Sequence, residues 1–204
     1  MSKFMMSVLL VILLAAVPSK AAVIYMSPAQ QQVQVSDTFA VDVFVTGLNG
    51  EFVSGWDLLI LFDDNILEAT DIFFELANFT DDPLLDAIYD FSISNGSISS
   101  FMTSFLTDEE LALRQNEPVH LFSISFLALT DGVSLINFGS NPFFELNVLG
   151  ADGNSLDLAA RGACVGVGQG QCATDVPVPA TLWLFALAAL APLSQRFRNT
   201  SFIG

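Results

Sequence analysis

The groups able to do chemistry in this chain are few: one imidazole, His120, two thiols, Cys164 and Cys172, and 22 carboxylates. His120 precedes Phe122, Ile124 and Phe126 in a run that alternates with Ser123 and Ser125. In a strand, successive side chains point to opposite faces, so the imidazole should share the apolar phase and the serines should lie opposite. A serine–histidine pair within that strand is then badly placed for nucleophilic catalysis, and His120 reads as a packed or strand-end residue. Adjacent acids stand at Asp63 and Asp64, at Asp81 and Asp82, and from Asp108 to Glu110. Hydrolysis by paired carboxylates needs two of them converging on one bond, whereas adjacent acids are common on exposed turns. The expectation is a protein that is not an enzyme.

Binding of a cation is a better use of these acids. Asp152, Asn154 and Asp157 place oxygen ligands on a turn, and Asp81, Asp82 and Asp86 form a second group. Calcium takes such ligands, but neither group has the spacing of a twelve-residue loop closed by glutamate. A hairpin turn and a solvated loop account for both more simply. No cofactor is expected, and calcium at Asp152, Asn154 and Asp157 is the metal reading left open. Cys164 and Cys172 stand in a glycine-rich stretch, and thiolate metal sites need further Cys or His ligands, of which only remote His120 exists. In an exported chain this pair reads as a disulfide.

Charge narrows the partners. All 22 acids lie between Asp37 and Asp175, and the only cations between those positions are Arg114 and Arg161. So acidic a surface repels nucleic acid and anionic lipid headgroups.

The elements that must carry these groups are strands. Phe39, Val41, Val43 and Val45 alternate with Ala40, Asp42, Phe44 and Thr46, and Trp56, Leu58, Ile60 and Phe62 repeat the pattern. Further runs cover 66–74, 89–94, 97–105, 119–129, 133–138, 143–149 and 156–158, with Asn95-Gly96 as a two-residue hairpin turn. One short helix is expected after Thr107, where a capping hydroxyl and early acids precede Leu111 and Leu113, and Pro118 closes the segment. About nine short strands with turn residues between them predict an all-β, two-sheet sandwich whose 19 Phe residues mostly fill the core. Trp56 and Tyr89 could stack on sugars, but Trp56 is in the apolar phase of its strand and reads as core.

Targeting segments flank this domain. Met1 to Lys3 is a short basic start, Val8 to Val17 is apolar, and Ser19-Lys20-Ala21 supplies a cleavage site after Ala21. Near the other end, the twenty residues from Val176 to Gln195 carry no charge and are just long enough to span a bilayer, and Arg196 and Arg198 follow them.

Two resemblances follow from particular residues. Val33-Gln34-Val35-Ser36-Asp37-Thr38-Phe39-Ala40-Val41-Asp42-Val43 resembles the opening of cohesin-like domains, and Val53 to Asp63, Ile66-Leu67-Glu68 and Phe122 to Ala128 resemble their later strands. The likeness departs at Ser36, where the pattern usually has Gly, and around Asp81 to Asp90. It implies a jelly-roll sandwich related to carbohydrate-binding modules, hence a binding or structural role, with direct polysaccharide recognition as an alternative and a matrix glycoside hydrolase as a third reading. The tail, Val176-Pro177-Val178-Pro179 through Arg196 and Arg198, resembles the PEP-CTERM sorting signal, with Val178 where the motif has Glu. That implies processing by an exosortase-type enzyme in a Gram-negative bacterium, transient anchoring in the inner membrane, and delivery to the cell surface or an exopolysaccharide or biofilm matrix. The expected organisation is a signal peptide, helical before its removal, over 1–21, a sandwich over 22–160, and a glycine-rich linker over 161–175. A sorting and single transmembrane helix over 176–198 and a cytoplasmic tail over 199–204 complete it.

Overall fold

A computed structural model describes residues 21–140 and 146–173 of the chain. The signal peptide, residues 141–145 of one expected strand, and the sorting segment with Val176 to Arg198 lie outside the described residues. Within the unit that ends at Cys172, twelve strands are present among the described residues. They are β1 (Ala22–Ser27), β2 (Gln30–Val33), β3 (Thr38–Thr46), β4 (Val53–Leu61), β5 (Leu67–Phe74), β6 (Ala87–Ser94), β7 (Ser97–Ser104), β8 (Val119–Ala128), β9 (Gly132–Gly139), β10 (Asn147–Gly150), β11 (Leu158–Arg161) and β12 (Ala163–Val167). One sheet has the order β11-β1-β3-β8-β5; the other runs β2-β12-β9-β4-β7-β6, with β10 beside β4.

Alternation of apolar and polar residues dictates these layers. Val41, Val43 and Val45 of β3 and Ile124 and Phe126 of β8 face inward and are fully buried, as are Ile60 of β4 and Ile98 of β7 opposite them. Trp56 is the centre of the core. Its ring lies 5.1 Å from Phe79, 5.7 Å from Phe122 and 6.1 Å from Phe74, and its Nε1–H donates to Ser100 Oγ at 3.2 Å. The buried indole N–H is thereby satisfied, and the polar handle costs the core nothing.

The expected helix is α1 (Asp108–Arg114), with a capping box. Glu110 N–H donates to Thr107 Oγ1, and Thr107 N–H donates to Glu110 Oε2 at 2.8 Å. Among the described residues no helix is long and apolar enough to cross a membrane.

The glycine-rich stretch expected to be a linker instead carries β12, which lies between β2 and β9 with Val165 and Val167 fully buried. Its glycines answer to close packing. A Cβ at Gly166 would run into the Gln32 side chain and the Gly170 carbonyl, and one at Gly170 into the backbone of Gly132. Both chain ends divide between the sheets: β1 pairs in parallel with β11, and β2 in parallel with β12.

Candidate binding surfaces

His120 is where sequence reasoning and structure part. Phe122, Ile124 and Phe126 point into the core as expected, but Leu121 is buried beside Phe122. The β3–β8 register slips there, Val43 pairing with Phe122 and Phe44 with His120. This bulge puts one extra residue into β8 and turns His120 onto the outer face with Ser123. The Ser123 hydroxyl lies 3.3 Å from His120 Nε2, and His120 Nδ1 lies 3.7 Å from Glu75 Oε2. The expected separation of serine and imidazole is therefore wrong, because a period of two does not survive a bulge.

The cluster nonetheless lacks the parts of an acyl-transfer site. Ser123 donates its proton to Asp42 Oδ1 at 2.6 Å, not to the imidazole. It pairs with Asp42 on one side and Phe73 on the other, in a strand flanked by β3 and β5, so the ladder occupies the amides an oxyanion would need. The imidazole stacks on Phe44 at 4.6 Å, and Phe44 on Tyr25 at 5.5 Å. These rings stack on one another across β1, β3 and β8, which makes the row a cross-strand packing device. The other aromatics considered for sugars are no more open: Trp56 is buried, and Tyr89 packs against Phe74 at 5.1 Å.

The acidic clusters turn back on their own loops. Both Asp152 carboxylate oxygens accept from Asn154, from its backbone N–H at 2.9 Å and its side-chain amide at 2.7 Å. The Asn154 side chain, then its backbone amide, hold the Asp152 carboxyl below its ordinary pKa. Asp157 contributes its carbonyl to the Ala22 N–H. Asp86 Oδ2 accepts from the Asp82 N–H at 2.9 Å, Asp82 Oδ1 accepts from the Leu84 N–H at 3.0 Å, and Asp81 pairs with Arg114. Among the described residues no group of three His, Cys, Asp or Glu side chains converges as a metal site would require. Cys164 and Cys172 are joined in a disulfide, with Cys164 inside β12.

The surface that stands out is the outer face of the seven-stranded sheet. Ile88 of β6, Phe101 of β7, Leu61 of β4, and Val133 and Leu135 of β9 all project there, Leu135 at 59% and Ile88 at 56% exposure. Register sets them among polar neighbours on that face: Phe101 lies between Asp57 and Asp90, and Leu61 lies between Ser97 and Asn137. Leu59 and Leu61 lean over Gly139, where a Cβ would come within 3.0 Å of both. Five exposed apolar side chains interspersed with acidic and polar ones make this face a candidate interaction surface. Alternation in β4 already sets Leu61 opposite Trp56, Leu58 and Ile60, but no motif shows that Phe101 and Leu135 share its face.

Two stacked sheets and one short capped helix make an all-β sandwich. No protein-family profile matches the sequence, and no curated protein does. The fold is similar to solved cohesins. CaCohA2 of Clostridium acetobutylicum, determined in complex with the dockerin CaDoc0917, has TM-score 0.55 and 19% identity over 72% of this chain and 99% of its own. The OlpA cohesin of Clostridium thermocellum, in a type I cohesin–dockerin complex, has TM-score 0.56 and 14% identity over 73% of this chain and 100% of its own. A non-cellulosomal cohesin of the archaeon Archaeoglobus fulgidus has TM-score 0.53 and 13% identity, covering 74% and 93%.

Proposed function

We propose that this chain is a non-enzymatic binding module that holds a protein partner on the outer face of its seven-stranded sheet. In this reading it is exported by the segment ending at Ala21. The PEP-CTERM-like tail then delivers it, through an exosortase-type enzyme, to the surface or exopolysaccharide matrix of a Gram-negative cell. The observation that carries the binding role is the exposure of Ile88, Leu61, Phe101, Val133 and Leu135 on one sheet face. Similar folds solved with dockerins bound support a protein as the partner. Of the aromatics considered for sugars, Trp56 is buried and Tyr89 packs against Phe74, which favours a protein over direct polysaccharide recognition.

A photo-crosslinking amino acid at Phe101, introduced in the producing cells, tests this. The expected product is one discrete protein adduct that is lost when Leu61 and Leu135 are changed to Ser, and mass spectrometry of the adduct should find the chain ending near Pro179. Adducts only to glycan, or equal adducts from a probe at Thr38 on the other sheet, would overturn the binding reading. Peptides through Phe197 in the surface-located protein would overturn the sorting reading.

A further inference from the structure

The two sheets end on one side in edge strands of equal length, β5 and β6, and Phe74 bridges the seam between them to Tyr89 and Phe91. A cleft of about 380 Å³ lies between Ile72–Leu76 and Tyr89–Phe91, and a second of about 280 Å³ continues between Leu67–Ala69 and Ile93–Gly96. Apolar side chains line this seam, including Phe73 at 70% exposure and Phe91 at 36%. Asp64, Glu68, Glu75 and Asp90 line it too, and among the described residues no cation does.

The four edges of the two sheets are unequal. β2 and β11 have four residues each, too short to template a partner. β5 is broken by a bulge at Thr70. β6 pairs with β7 in unbroken register over all eight residues, from Ala87↔Ser104 to Ser94↔Ser97, and carries no Lys, Pro or bulge. Its two-residue turn makes Ser94 and Ser97 a hydrogen-bonded pair, so the backbone groups of Tyr89, Phe91 and Ile93 point away from β7. No described strand lies on that side. One device guards the edge: Asp90 Oδ1 accepts the outward Phe91 N–H at 2.9 Å.

We infer that β6 is a strand-addition site for an extended segment of a partner protein that alternates apolar and basic residues. Paired to β6, such a segment adds its backbone to the outward-pointing N–H and C=O groups of Tyr89, Phe91 and Ile93. Its apolar side chains then enter the seam beside Phe73 and Phe91, and its cations, on the alternate face, meet Asp90. Asp90 releases the Phe91 amide to the incoming carbonyl and takes a cation instead. Charge selects the occupant. A second copy brings 22 acids against its own few cations and sets like charges side by side across the new ladder, whereas a basic segment is drawn in. This edge adjoins the outer face at Ile88, whereas Leu135 lies on β9, three strands away.

The test uses the purified full chain and three labelled nine-residue peptides. One alternates Val or Phe with Lys, one has the same composition with its apolar residues contiguous, and one has Glu for Lys. The alternating Lys peptide should bind at least tenfold more tightly than either other peptide, and hydrogen exchange at the Tyr89, Phe91 and Ile93 amides should slow on binding. Asp90→Lys, an exposed change, should keep the melting temperature, weaken the Lys peptide about tenfold and strengthen the Glu peptide. Leu135→Ser should leave peptide affinity unchanged. Equal binding of the contiguous peptide, unaltered exchange at the three amides, indifference to Asp90→Lys, or loss of binding in Leu135→Ser would overturn the inference. So would a sedimenting dimer with those amides already protected, which assigns the edge to a second copy.

Discussion

Ser36 has a φ of +73°, in the left-handed region that favours glycine. It sits in the turn between β2 and β3, where the Ser36 N–H donates to the Ala128 carbonyl at 2.8 Å and the Gln34 N–H donates to Asp37 Oδ2 at 2.8 Å. Because the turn fixes this geometry, Ser36→Gly should raise stability by about 1 kcal/mol, the order of the strain a side chain incurs there. Urea unfolding measures it, and a lower midpoint would mean that the hydroxyl contributes more than the strain costs. A second single-residue device is Glu117, which clamps the 46–48 turn: Oε2 accepts from the Gly47 N–H at 2.8 Å and Thr46 Oγ1 at 3.1 Å, and Oε1 from the Leu48 N–H at 2.9 Å. The Gly47 amide, chief among several donors, holds the Glu117 carboxyl below its ordinary range despite some desolvation. A lowered folded-state pKa contributes stability above the unfolded value and loses it as pH falls through the folded one. The wild type should therefore lose melting temperature faster than Glu117→Gln between about pH 5 and about pH 2. Parallel curves for the two proteins would refute the clamp.

At the scale of elements, strands and helix were legible wherever a local rule operated without interruption. The Asn95-Gly96 turn, the alternation in β3 and β4, and the Thr107–Glu110 box each depend on residues within a few positions of one another, and each appears where those residues place it. Two kinds of feature were hidden. The bulge at Leu121 is set by how β8 meets β3, a long-range fit that no window along the chain contains, and it moved the imidazole to the opposite face. β12 was hidden by composition, since glycines that allow close backbone approach look the same in sequence as glycines that confer flexibility. The misreading changes what the disulfide does. With Cys164 inside β12, the bond ties the end of the domain to a buried strand and not to a free stalk. Reduction should cost about 2–3 kcal/mol in the loop-entropy account and should quicken hydrogen exchange at Val165 and Val167. A urea midpoint unmoved by reductant, with exchange unchanged, would show the bond to be superfluous.

For the molecule as a whole, the sequence made the two-sheet sandwich and its acidity plain, yet it did not reveal the surfaces on which the functional proposals rest. Leu61, Phe101 and Leu135 are ordinary strand residues until register brings them to one face, and Asp90 is one of many acids until β6 is seen to be an edge. The parallel pairing of the two chain ends has a temporal consequence. A chain emerging N-terminus first delivers β2 early, but β2 has only β12 as a neighbour, so its backbone must wait while nearly the whole domain is made. β9 waits as well, because β12 lies along the flank it does not share with β4. The seven-stranded sheet therefore cannot close until Val167 arrives, and the order of synthesis itself keeps the chain open to the last.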